Sequence, residues 1–180
     1  MRAVAQQGTQ LIALGSRDRS SRHEHRVRSF SADYALLTEL RSLATDRVGA
    51  TLLADHICSL NEVPPPTVTF HGRRGPHTGY CLAPAWHVRL TVGERTVQRW
   101  EQQKGRTWPD EGMIRLGNQP SLGTVAHELG HHLVNQKEPP GAAPHGKVWV
   151  TWFDVAAAGV VDWCNRMDLD LGGLPRFSTA

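Results

Sequence analysis

The chain has 180 residues, 39% hydrophobic and 21% charged, a balance that suits one globular domain with a real core. A net charge of +3 and a pI near 9.0 make it only mildly basic, with the positive charge carried by 17 Arg against 3 Lys. Three isolated cysteines, Cys58, Cys81 and Cys164, form no C-x-x-C pair, which excludes a disulfide-stapled scaffold and points to a reducing, cytoplasmic setting.

In chain order, residues 1–30 are polar, weakly patterned and read as a flexible basic arm. Within it Arg17, Arg19, Arg22, Arg26 and Arg28 outnumber Asp18 and Glu24, which suits either contact with nucleic-acid phosphates or a simply solvated segment. The apolar run Leu11–Leu14 is too short for a signal core, and no stretch approaches a membrane span. A domain over 31–175 then opens with helical spacing at Tyr34, Leu36, Leu37, Leu40, Leu43 and Val48, continuing through Leu52, Leu53, Ile57 and Leu60. Gly49 is expected to divide this run into two helices.

Pro64-Pro65-Pro66 ends the helical regime. Strands are expected over 67–70, 79–83 and 86–92, the last because Trp86, Val88, Leu90 and Val92 alternate with other residues. Residues 93–111 suit a short helix and an exposed loop, and Met113–Leu116 reads as the last strand. A helix is expected from about 120 to 136, with cap and first-turn residues supplied by Asn118, Gln119, Pro120 and Ser121. Pro139, Pro140, Gly141 and Pro144 then force a loop, and apolar positions from 147 to 161 predict a closing helix with Trp149, Trp152 and Trp163 in its core. No internal repeat is present. The sum is an α+β single domain: N-terminal helix, small twisted sheet, motif helix, loop, closing helix.

The chemistry is concentrated at His127-Glu128-Leu129-Gly130-His131, an H-E-x-x-H motif. On a helix, positions i and i+4 share a face, so His127 and His131 can address one metal ion with Glu128 beside them to handle a proton. Ten His and eight Glu in the whole chain seldom produce this pattern by chance, and the uncharged flanks Thr124, Val125, Ala126 and Leu133 suit a buried helix. The plain alternative is an amphipathic helix that happens to carry three histidines. Catalytic zinc usually takes three protein ligands. A metzincin extension fails because Val134 and Lys137 stand where Gly and His are needed. Two candidates remain: His145 on the loop, and Asp154 on the closing helix, the latter reading better as a supporting or surface acid.

Other residues have ordinary readings. His132 lies about 100° around the helix from His131 and reads as packed or solvent-facing rather than as a fourth ligand. His71, His77 and His87 belong to the strand region and read as structural, although one of them near the cleft would help polarise a carbonyl. Tyr80 reads as strand packing before it reads as an oxyanion donor.

The run H-E-L-G-H followed by a loop and His145-Gly146-Lys147-Val148-Trp149 resembles the SprT-like zincins, which pair H-E-x-x-H with a His-Gly-x-x-aromatic element at similar distance. Gly112–Gly117 stands where that family has the strand before its motif helix. The resemblance spans about residues 64–163, with its specific part in 112–153; a small stand-alone H-E-x-x-H hydrolase describes the chain equally well. It implies zinc at His127, His131 and His145, and Glu128 as catalytic acid/base. The chain departs from many members in lacking a cysteine-rich zinc ribbon, which separates it from their DNA-linked role. By analogy with zincin folds, Met113–Leu116 would lie beside the cleft and pair with an extended peptide.

The expected function is therefore that of a monomeric, soluble zinc metallopeptidase acting on a protein or peptide through metal-activated water, with Glu128 as general base. The alternative is a metal-containing DNA- or protein-binding module with weak or no hydrolysis, its affinity carried by the arginine arm. A purely structural zinc site fits less well, because such sites close their fourth position and have no use for a glutamate placed between the ligands.

Overall fold

A computed structural model describes residues 40–72, 79–142 and 145–168. The arginine arm, the helical expectation over 31–39, and His77 lie outside these residues. The described elements are α1 (Arg47–Leu60), β1 (Thr67–His71), β2 (Gly79–Leu82), α2 (Ala85–Val92), α3 (Glu94–Lys104), β3 (Met113–Gly117), α4 (Leu122–Lys137) and α5 (Lys147–Arg166). Helices dominate and the strands form one small sheet, an α+β fold. None of the described helices is long and apolar enough to cross a membrane.

The sheet has the order β1-β3-β2, with β1 parallel and β2 antiparallel to β3. Val68, Phe70, Ile114, Leu116 and Cys81 project to one face and join the main core. That face is covered by α1 above β1 and by α4 above β3 and β2, and α5 packs on both helices in turn. The α5 contacts are close because two glycines remove side chains from the crossings. A Cβ on Gly130 of α4 would lie 3.1 Å from the Phe153 Cα, and one on Gly159 of α5 would lie 2.8 Å from Ile57 Cγ1 on α1. Interiors packed this tightly leave little room for adjustment.

The helical run at the start of the domain breaks before Gly49, not at it. Asp46 caps α1, its carboxylate accepting the Gly49 amide at 2.7 Å, so Gly49 sits inside the first turn. The chain just before this cap, Leu43–Thr45, is drawn off as an extended strap over the start of α4. The Leu122 amide donates to the Leu43 carbonyl at 2.8 Å, and the Thr45 amide donates to the Pro120 carbonyl at 2.9 Å. A helix leaves its first amides without internal partners; here the strap and the Ser121 hydroxyl, which accepts the Thr124 amide at 3.1 Å, supply them.

The segment 86–92 is a helix rather than the strand its alternation suggests. Pro84 supplies an extended N-cap, its carbonyl accepts the Val88 amide, and Gly93 at φ 87° ends the helix after two turns. The alternating residues gain little burial: Trp86 is 40%, Leu90 70% and Val92 56% exposed. Instead Ala85 and Val88 pack with Val97 and Trp100 of α3 and with Trp108 in a second, small core. Trp108 fixes this hairpin by donating its indole N–H to the Ala83 carbonyl at 2.8 Å.

The glycine crossings give a direct test of the packing. Gly159→Val is expected to cost about 1–3 kcal/mol by overpacking against Ile57, lowering the melting temperature by roughly 3–10 °C for a domain of this size. An unchanged melting curve would show slack between α1 and α5 that the 2.8 Å approach does not allow.

Candidate metal centre

Helix α4 is buried along most of its length, yet it carries His127, Glu128, His131 and His132. The helical repeat sorts them. His127 and His131 turn toward α5 and the loop that precedes it, Glu128 turns toward β2, and His132 toward the proline segment ahead of β1. His132 is fully buried, and its Nε2–H donates to the Pro64 carbonyl at 2.9 Å, since a carbonyl can only accept. Burial lowers its pKa, in keeping with a neutral, structural ring. It is the packed residue the sequence suggests, and it braces the start of β1 against α4.

The loop between α4 and α5 brings His145 back over the motif. Glu138, at the end of α4, accepts the Trp152 indole N–H of α5 at 2.8 Å, which closes the loop at its base. His145 itself has φ 56°, in the left-handed region, directly before the Gly146 cap of α5. A non-glycine residue held there costs roughly 1–2 kcal/mol, and such strain recurs where a side chain must be aimed. Here it aims an imidazole: His145 Nε2 lies 3.0 Å from His131 Nε2 and 3.3 Å from His127 Nε2.

This spacing fits a metal. Zinc bonded tetrahedrally to imidazoles at about 2.0–2.1 Å would hold its ligand nitrogens roughly 3.3 Å apart. Three half-buried histidines offer nitrogens that all lie within 4.8 Å of one another, and they are the one such group among the described residues. Asp154, the other third-ligand candidate, does not belong to this group. The Trp149 ring forms a wall behind all three, with centroid distances of 4.9 Å to His127, 5.2 Å to His131 and 4.7 Å to His145, and it stacks in turn on Phe153 at 5.1 Å. Sequence reasoning places Trp149 in the core, where it is, but does not show that it touches every histidine of the site. Its position four residues after His145, one helical turn into α5, carries that signal.

Glu128 is 5% exposed and its side chain rests against the backbone of Gly79 in β2. Among the described residues no group hydrogen-bonds to or pairs with its carboxylate. Burial pushes it up to about 8 in the metal-free chain; a nearby cation would act in the opposite direction. Burial and the Glu128 carboxylate also push the nearby Cys81 thiol far above its ordinary range, and burial takes Cys58 up to about 12 and Cys164 up to about 11. None of the three thiols is poised as a nucleophile.

The remaining candidates lie elsewhere. Strand alternation turns Tyr80 away from α4 when Gly79 faces it, and the Tyr80 hydroxyl, on the exposed face, accepts a long bond from Arg115 at 3.4 Å. It is not an oxyanion donor to this site. His71 ends β1, and His87 on α2 meets Trp86 edge to face at 5.4 Å; neither joins the metal-binding group. The expectation that Met113–Leu116 accepts a peptide is also corrected. β3 is the central strand, whereas β2 pairs only with β3 among the described residues and lies beside Glu128.

The purified protein should bind close to one zinc ion, measured by elemental analysis after dialysis, and His145→Ala should lose it. Full zinc retention in that variant would remove His145 from the ligand set. Zinc titration should also change tryptophan emission, and Trp149→Phe should abolish most of that change, because the Trp149 ring touches all three imidazoles. Comparison of the chain with protein-family models, curated proteins and solved structures finds no match, so its functional reading rests on this geometry.

Proposed function

We propose that the protein is a zinc-dependent metallopeptidase of the SprT-like zincin type, hydrolysing peptide bonds with Glu128 as general base. One observation carries the reading: three imidazole nitrogens, two from a buried helix and one from a return loop, converge at zinc-ligand spacing beside a buried carboxylate that has no hydrogen-bond or ion-pair partner among the described residues. When bound, zinc supplies a Lewis acid that polarises a carbonyl and acidifies water. Among the described residues the donor set is three histidines, the ligand number of catalytic rather than of structural zinc sites.

The chain's own residues supply the rest. His127, His131 and His145 hold the ion, and Trp149 fixes their ring planes by packing. Glu128 accepts a proton from the attacking water at a carboxylate oxygen as the water oxygen bonds to the carbonyl carbon. It returns the proton to the amine nitrogen as the C–N bond breaks. Its low exposure favours a group that exchanges its proton with the reactants rather than with bulk solvent. An extended substrate would add to the outer edge of β2, which pairs with no other strand among the described residues and whose backbone N–H and C=O groups offer the ladder that β3 has already used.

The test is Glu128→Gln, which keeps size and polarity but removes the base. It should retain zinc and lower kcat on a fluorogenic peptide or casein substrate by about 10²–10⁴-fold. Unimpaired hydrolysis with zinc in place would remove Glu128 from the mechanism. Absence of hydrolysis in the wild-type, zinc-loaded protein across a broad peptide library would remove the peptidase reading itself.

A further inference from the structure

The peptidase reading assigns Glu128 a task but leaves open what holds its carboxylate in place. No hydrogen bond or ion pair to another described residue does so, and packing must therefore set its position. The contact that bounds it is specific. An ideal Cβ built on Gly79 would lie 2.8 Å from Glu128 Oε1, 3.0 Å from Cγ and 3.2 Å from Cδ, so all three of its nearest atoms belong to that one side chain.

Backbone conformation does not call for a glycine here. Gly93, Gly105, Gly112 and Gly141 have positive φ, whereas Gly79 does not, so an L-residue can adopt its backbone without strain. Gly79 opens β2 and pairs with Leu116, and a glycine there loses more conformational entropy on folding than alanine would and packs no side chain. On local grounds alanine would be the better residue at the second and third strands' pairing site, opposite Leu116. What alanine would occupy is the space that Glu128 fills.

We infer that Gly79 is a positioning residue: the bare face of β2 at this point is the seat of the Glu128 side chain. The inference rests on the peptidase reading for its catalytic consequence but not for the contact itself. The seat sits on β2, an edge strand of the sheet among the described residues, so the strand that would receive a substrate backbone also fixes the base that would act on it. A shift in the order of an ångström in the base is enough to cost about 10²-fold in rate.

The experiment is a double-mutant cycle of Gly79→Ala and Glu128→Ala, read by melting temperature, zinc content and peptide hydrolysis. With Glu128 present, Gly79→Ala should lower the melting temperature by roughly 2–8 °C, the range expected when contacting residues couple. With Glu128→Ala the same substitution should leave it unchanged or raise it. Gly79→Ala should keep zinc at the wild-type level and lower kcat by roughly 10–100-fold, with KM within about twofold. Equal thermal effects in the two backgrounds would overturn the proposal, because a requirement of the strand or of a docking backbone would not depend on Glu128. An unchanged kcat would overturn it as well. If Gly79→Ala does not fold alone but folds with Glu128→Ala, the coupling is demonstrated by that rescue. If the wild-type protein shows no hydrolysis, the peptidase reading falls, and the thermal cycle still decides whether Gly79 seats Glu128.

Discussion

The structure depends on how closely α4 can lie against its neighbours. A helix buried on nearly every side would ordinarily be wholly apolar, because polar groups taken out of water without partners are costly. This helix carries three histidines and a glutamate, and each is accommodated by a particular absence or a particular partner. Gly130 lets the α5 backbone approach until Phe153 and Trp149 back the histidines. Gly79 leaves room for the glutamate, and the Pro64 carbonyl takes the N–H of His132. The histidine cluster that could hold a metal is thus assembled from backbone proximity as much as from its own side chains.

Much of this was legible in the sequence. The motif helix, its Ser121 cap, the return loop and the closing helix follow from strong local signals: a polar cap before an apolar run, a cluster of prolines, and apolar spacing at 3.6 residues. The three histidines were legible because metal chemistry restricts residue type and spacing together. The strands at 67, 79 and 113 were legible from composition and punctuation, though their order was not. Sheet order is a long-range property, and nothing in Met113–Gly117 says that it will be flanked on both sides.

What misled was local pattern without a partner to satisfy it. Trp86, Val88, Leu90 and Val92 alternate as a strand should, yet the burial open to this segment lies in the small second core, where Ala85 and Val88 pack three residues apart on one helix face. Gly49 looks like a helix breaker, but Asp46 captures its amide and starts the helix three residues earlier. Gly79 and Gly130 fall within the expected strand and motif helix and offer no side chain for a local pattern to read, while their role is to let another part of the chain come close. Such a role is invisible until the other part is known.

The strap at Leu43–Thr45 bears on where the folding unit begins. Seen as a sequence, the site starts near the H-E-x-x-H motif and ends within the closing helix. Seen as a structure, the first turn of α4 is completed by a carbonyl nearly eighty residues upstream, and Gly123 lies against Arg41 with no space for even a methyl group. A fragment cut at the start of α1 would keep His127, His131 and His145 and still leave the motif helix open at its head. The domain therefore reaches at least as far upstream as Leu43, and trimming the chain by motif alone would cut through it.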